Sequence, residues 1–218
     1  MWGSSGSGDK NADTTSASYI PKAVSYVSPN GGTEIDVYGG YTHALGKSGV
    51  TFDGGVYGYI YPNLPVNNLY EVYGSLTKAY GPLSAKVGVN WAPKQAYFTA
   101  AGNPSTPTLY SVYEYGELTY SPPKSPITVH GHLGHTGGGL DYIKQYLDYT
   151  VGISYKWKAL TFDISAVGTN VTKSDIAKVL FKNGPMKGNV NSQINSTANQ
   201  SAYRYGKFVP VASLTASF

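Results

Sequence analysis

The chain of 218 residues contains no cysteine, so it can build neither a disulfide framework nor a thiolate metal site. It is also short of charge. Asp, Glu, Lys and Arg make up 13% of it, about half the roughly 25% of ordinary globular domains. The formal net charge is only +4 and the lysines are scattered, so there is no nucleic-acid footprint. No run of 18 apolar residues exists, which excludes a membrane-spanning helix. The opening MWGSSGSGDKNADTTSAS lacks the basic start and apolar stretch of an export signal. There is no G-x-S-x-G nucleophile elbow either, since GISYK at 152–156 lacks the second glycine. The remaining hydrolase arrangement would set Ser154 beside His132 on adjacent strands. The expectation is no catalytic residue, no cofactor and no metal.

Glycine (27) and tyrosine (21) are abundant instead. Together they disfavour helices and favour closely packed strands with aromatic rims. The segment QYLDYTVGISYKWKALTFDISAVG, residues 145–168, shows how. Leu147, Tyr149, Val151, Ile153, Tyr155 and Trp157 fall on one parity; Tyr146, Asp148, Thr150, Gly152, Ser154 and Lys156 fall on the other. After Lys158-Ala159 the alternation resumes with Leu160, Phe162, Ile164 and Ala166 against Thr161, Asp163 and Ser165. Successive side chains of a strand point to opposite faces, so each run has an apolar and a polar face.

The same pattern predicts nine strands, near 33–45, 49–61, 68–79, 82–91, 109–120, 126–135, 144–157, 159–169 and 206–218. Their connections alternate in length. GKS (46–48), YGP near 80, SPPKS (121–125) and KA (158–159) are short; YPNLPVN, PKQAYFTAAGNPSTPT, TGGGLDYI and the tail from Asn170 to Tyr205 are long. Connections sorted by end are the pattern of an up-and-down membrane barrel. Within the last connection, IAKVLFK reads as a short helix or as a segment that dips into the barrel, and GGG at 137–139 as a loop hinge. The final run places Phe208, Ala212, Leu214, Ala216 and Phe218 on one parity, and Phe218 is the candidate C-terminal signal for the barrel-assembly machinery.

On the polar parity lie Asp36, Asp53, Glu71, Lys86, Asn90, His130, His132, Asp148, Lys156 and Asp163, the candidate lumen-lining residues. On the apolar parity, Trp91, Tyr120, Tyr155 and Trp157 near strand ends are candidate interfacial aromatics. A soluble barrel such as a lipocalin would alternate equally but with its polar face outward, and a soluble exterior is roughly 25–35% charged. The low charge total favours the polar face turned inward. His130 and His132 share a face and, with Asp148 and the nearby His135, raise a metal site; two histidines hydrogen-bonded to neighbouring Tyr and Asp are the plainer expectation.

EIDVYGGYTHALG, NNLYEVYGSLTKAYGPLSAKVGVNWAP and YTVGISYKWKALTFDISAVGTN resemble the Gcw_chp family of uncharacterised proteobacterial proteins. The resemblance spans most of 33–169 and the terminal strand, and leaves 7–32 and 170–205 unmatched. It implies a barrel of about twelve strands, with Trp2-Gly3-Ser4 the end of a third strand and a signal peptide and earlier strands lost from this chain. It transfers no functional residue.

The predicted organisation is one all-β domain over 1–218: strand remnant and extracellular loop at 1–32, eight strands over 33–169, long loop 170–205, closing strand 206–218. The expected localisation is the bacterial outer membrane. The expected function is a narrow porin-like channel for ions or small polar solutes; the alternative is a non-conducting barrel acting through loops 92–106 and 170–205. Expected partners are outer-membrane lipid, the barrel-assembly machinery and the solutes themselves, with a homo-oligomer compatible with the pattern.

Overall fold

Wherever apolar and polar residues alternate over eight or more positions, the backbone is extended and paired. A computed structural model describes residues 3–5, 33–62, 65, 68–95, 97–98, 110–139, 144–178, 199–200, 203–204 and 206–217. Its strands are β1 (Gly3–Ser5), β2 (Thr33–Ala44), β3 (Val50–Ile60), β4 (Leu69–Tyr80), β5 (Leu83–Ala92), β6 (Ser111–Tyr120), β7 (Ile127–Gly138), β8 (Tyr146–Trp157), β9 (Leu160–Thr169) and β10 (Val209–Ala216). They form one all-β antiparallel sheet in which each strand lies beside its chain neighbours, β1 to β10 in order. All nine predicted strands are present, with ends within three residues of expectation, and the short β1 stands where a strand remnant was expected.

The sheet is open. Its edges are β10 and β1, and β1 covers only Thr33 to Ile35 of β2. The turns at one end are short because their residues suit them. Gly81 has φ +59 and is followed by Pro82, joining Tyr80 to its partner Leu83, the chemistry of a two-residue hairpin. Lys158 takes the same left-handed position (φ 55) between Trp157 and Leu160. The long connections gather at the opposite end.

GGG at 137–139 departs from the expected hinge. Gly137 and Gly138 continue β7, opposite Val112 and Ser111. Gly138 bends the strand end at φ +88, where a Cβ would lie 2.3 Å from the Tyr110 carbonyl oxygen. Only glycine fits there, so the strand runs on through what reads as a loop signal.

The helix α1 (Lys173–Ala177) begins three residues before the expected IAKVLFK segment, whose residues from 179 lie outside the described ones. A capping box starts it: the Asp175 amide donates to the Thr172 hydroxyl at 3.2 Å and the Thr172 amide donates to the Asp175 carboxylate at 2.9 Å. Lys144 reaches the same carboxylate at 2.8 Å, tying two long connections together. Burial pushes the Asp175 carboxyl up, but the bonds from Lys144 and Thr172 outweigh it and hold the group down at about 2. Its charged form therefore favours the folded loop at any pH above the ordinary carboxylate value of about 4, and that contribution is lost as pH falls through about 2. A carboxyl-carbon NMR titration should find Asp175 ionised at pH 3, and Lys144→Gln should raise its midpoint.

The two faces of the sheet are exposed to different degrees, in the opposite sense to a soluble fold. Val56, Val87, Leu118, Val151 and Ile164 sit on the apolar face, and Val151 and Ile164 are 62% and 64% exposed. Ser75, Ser111, Thr136 and Ser165, on the polar face, are all buried. The sheet shelters its polar side and presents its apolar side.

Candidate functional site

The polar face is the candidate site, because strand register gathers the chemistry there. Residues directly opposite across an antiparallel pair share a face. Thr42 opposes Asp53, Asp53 opposes Ser75, Thr77 opposes Lys86, and Lys86 opposes Glu117. Glu117 opposes His132, His132 opposes Thr150, and Ser154 opposes Asp163. With strand alternation, this puts Asp36, Asp53, Glu71, Lys86, Asn90, His130, His132, Asp148, Lys156 and Asp163 all on one face. Lys156 is its exposed last member at the short-turn end.

From β5 to β9 these side chains are joined in two networks. In the first, the Tyr113 hydroxyl donates to Asp148 Oδ1 at 3.0 Å and lies 2.6 Å from His132 Nε2. His132 Nδ1 is 3.5 Å from Glu117, whose other oxygen is 4.0 Å from Lys86 Nζ. The Tyr115 ring stacks on His132 with centroids 5.7 Å apart, and the Lys86 ammonium sits 5.3 Å from the Tyr115 centroid. In the second network one carboxylate takes three donors: Asp163 accepts from Ser154 at 2.6 Å, from His130 Nε2 at 2.7 Å, and from Ser165.

These bonds separate the residues of the two arrangements raised above. Ser154 gives its proton to Asp163, not to a histidine, and His132 lies opposite Thr150 in a different network. The Ser154–His132 pair is therefore not formed. His130 and His132 are divided between Asp163 and Tyr113, and His135 is on the opposite face, 3.4 Å from Glu114. Among the described residues no three His, Asp or Glu side chains are grouped to hold a metal.

The wall from β2 to β4 differs. Tyr38 and Tyr57 stack at 5.3 Å, and Tyr57 and Tyr59 approach at 4.9 Å. Asp36 lies opposite Tyr59, and Glu71 opposite Tyr57. Asp53 accepts from Thr42 at 3.1 Å, Glu71 from Asn90 at 3.4 Å, and Glu34 from the Tyr61 hydroxyl. No carboxylate of this wall has a cationic partner among the described residues.

Sequence reasoning missed Glu34, Tyr113, Tyr115 and Glu117, although each lies on the polar parity of its strand. It also missed why glycines face tyrosines. A Cβ on Gly134 would lie 2.1 Å from the Tyr113 oxygen, and one on Gly88 would lie 2.4 Å from the Tyr115 ring. The glycines are the recesses into which these rings lean.

On the apolar face Trp91, Tyr120, Tyr155 and Trp157 are all about half exposed. Trp91 belongs to the long-connection end with Tyr70; Tyr120, Tyr155 and Trp157 belong to the short-turn end with Tyr80. Phe218 lies outside the described residues.

A family model described as "Bacterial protein of unknown function (Gcw_chp)" matches residues 1–200. The chain belongs to the Gcw_chp family. The match takes in 7–32 and 170–200, which the quoted strand motifs did not reach, and stops before β10. The matched span of this Gcw_chp chain thus takes in long connections as well as strands. No curated protein and no solved structure matches the chain.

Proposed function

We propose that this Gcw_chp protein is a bacterial outer-membrane β-barrel whose polar face lines a narrow channel for ions or small polar solutes. The observation that carries the reading is the inversion of the faces. Apolar residues such as Val151 (62%) and Ile164 (64%) lie open while buried Ser75 and Ser165 occupy the polar side. An apolar surface of that extent is stable only against another apolar phase.

The aromatic rims fit the same reading. Eight residues of β5 separate the level of Leu83 and Tyr120 from that of Trp91. That is roughly 27 Å of strand, or about 20 Å of height at the tilt of membrane barrels, close to their apolar band. In lipid every backbone polar group needs a partner, so the edges of β2 and β10 must meet each other or further strands. Export to the outer membrane and insertion by the barrel-assembly machinery belong to the same proposal.

The two networks over β5–β9 favour a second reading, a barrel whose interior is filled by its own side chains and which acts through its long connections. Single-channel recording separates the two. The chain, refolded in detergent and added to a planar bilayer, should give stable conductance steps. A folded, heat-modifiable protein that never conducts would establish the second reading.

A further inference from the structure

The net charge of the chain and the charge of its polar face have opposite signs. Of twelve carboxylates in the sequence, seven are on the polar face of β2–β9: Glu34, Asp36, Asp53, Glu71, Glu117, Asp148 and Asp163. Of sixteen Lys and Arg side chains, only Lys86 and Lys156 are there. Seven negative and two positive charges leave that face at −5 with His neutral, although the whole chain is +4.

The distribution along the face is also uneven. Over β5–β9, Glu117 has Lys86 beside it, and Asp148 and Asp163 lie within reach of the His132 and His130 rings. Over β2–β4, Glu34, Asp36, Asp53 and Glu71 have tyrosine, threonine and asparagine neighbours and no cation among the described residues. Asp36 is left with a buried oxygen, Oδ1, that has no hydrogen-bond partner there, and a buried carboxylate oxygen without a donor is costly. The β2–β4 wall thus carries its negative charge without a protein counter-ion among the described residues.

We infer that the channel selects small cations over anions, and that Asp36, Asp53 and Glu71 on the β2–β4 wall set the preference. The inference rests on the channel reading above. Wall charges facing an enclosed aqueous space focus the field on the permeating ion. The lysines that restore the overall positive charge, such as Lys47, Lys124 and Lys158, are exposed in the short turns, where salt screens them over about 10 Å at 0.1 M. The tyrosines beside the acids add ring faces that attract cations.

The test is the reversal potential of the refolded chain in a planar bilayer under a KCl gradient. At about 0.1 M the potassium-to-chloride permeability ratio should be about 10, the low end of the enrichment a one-signed cleft gives. It should fall towards one at 1 M, where screening shortens to about 3 Å. The near-isosteric D36N/D53N/E71Q variant should lose most of the preference, and K86Q should keep it. Conductance with a ratio of one or below overturns the inference and leaves the channel standing. A triple variant with unchanged selectivity overturns the assignment to this wall. Absence of conductance sinks the channel, and the inference with it.

Discussion

Replacing Val151 by arginine should lower the unfolding free energy by about 2–4 kcal/mol, measured by denaturant titration in bilayer or detergent. That is the cost of a cation at mid-depth on the lipid face of a membrane barrel. Val151 is halfway along β8, paired with Gly131 and Ala166, and is 62% exposed. In a protein bathed in water, an arginine at so open a position would change stability by less than about 0.5 kcal/mol. The residue makes no network contact that the substitution would disturb. The measured cost therefore reports the medium it faces. The same substitution at Ala159, in the turn between β8 and β9, falls at the interface and should cost under about 1 kcal/mol. Near-zero values at both positions would show that the apolar face meets water.

Gly55→Ala should lower stability by about 2–3 kcal/mol, the upper part of the range for overpacking. Gly40 of β2 lies directly opposite Gly55 of β3, with Gly39 and Gly54 beside them. A Cβ on Gly55 would stand 2.3 Å from the Gly39 carbonyl oxygen and 2.6 Å from the Gly40 Cα. Both are backbone atoms, so no side chain can swing aside and the two strands would have to part. Gly39 has nothing within 4 Å of its own missing Cβ. Gly39→Ala should be neutral or slightly stabilising, since alanine restricts the unfolded chain. A thermal or urea midpoint for the two variants checks the contrast. Equal effects would mean that the strands do not approach so closely.

Much of the fold was legible because period two is a strong signal when it persists. QYLDYTVGISYKW fixes both faces of β8 before any coordinate is known, and short turns then fix the register of the neighbour. This is why all ten polar-parity positions, Asp36 to Asp163, come to one face. What failed did so locally. Gly137 and Gly138 read as a hinge because glycine weakens strands on average, whereas at Gly138 close approach to Tyr110 demands it. Helix α1 was placed late because the capping pair Thr172 and Asp175 precedes the apolar stretch. The partners within the site were not legible at all: parity says that Tyr113, His132 and Asp148 share a face, but not that one hydroxyl joins them. That depends on a tyrosine leaning diagonally across Gly134.

The sheet order has a consequence for how the molecule is put together. Among the described residues every strand pairs only with its neighbour in the chain, so the open sheet can assemble by adding hairpins, and only the meeting of its two edges matches distant segments. The closures are unequal. Between β9 and β10 lie residues 170–208, about five times the length of the connection from β3 to β4, which adds roughly 1–2 kcal/mol of entropic cost. β10 is also exposed along its whole length. Its docking against β9 carries the larger loop-closure cost of the two.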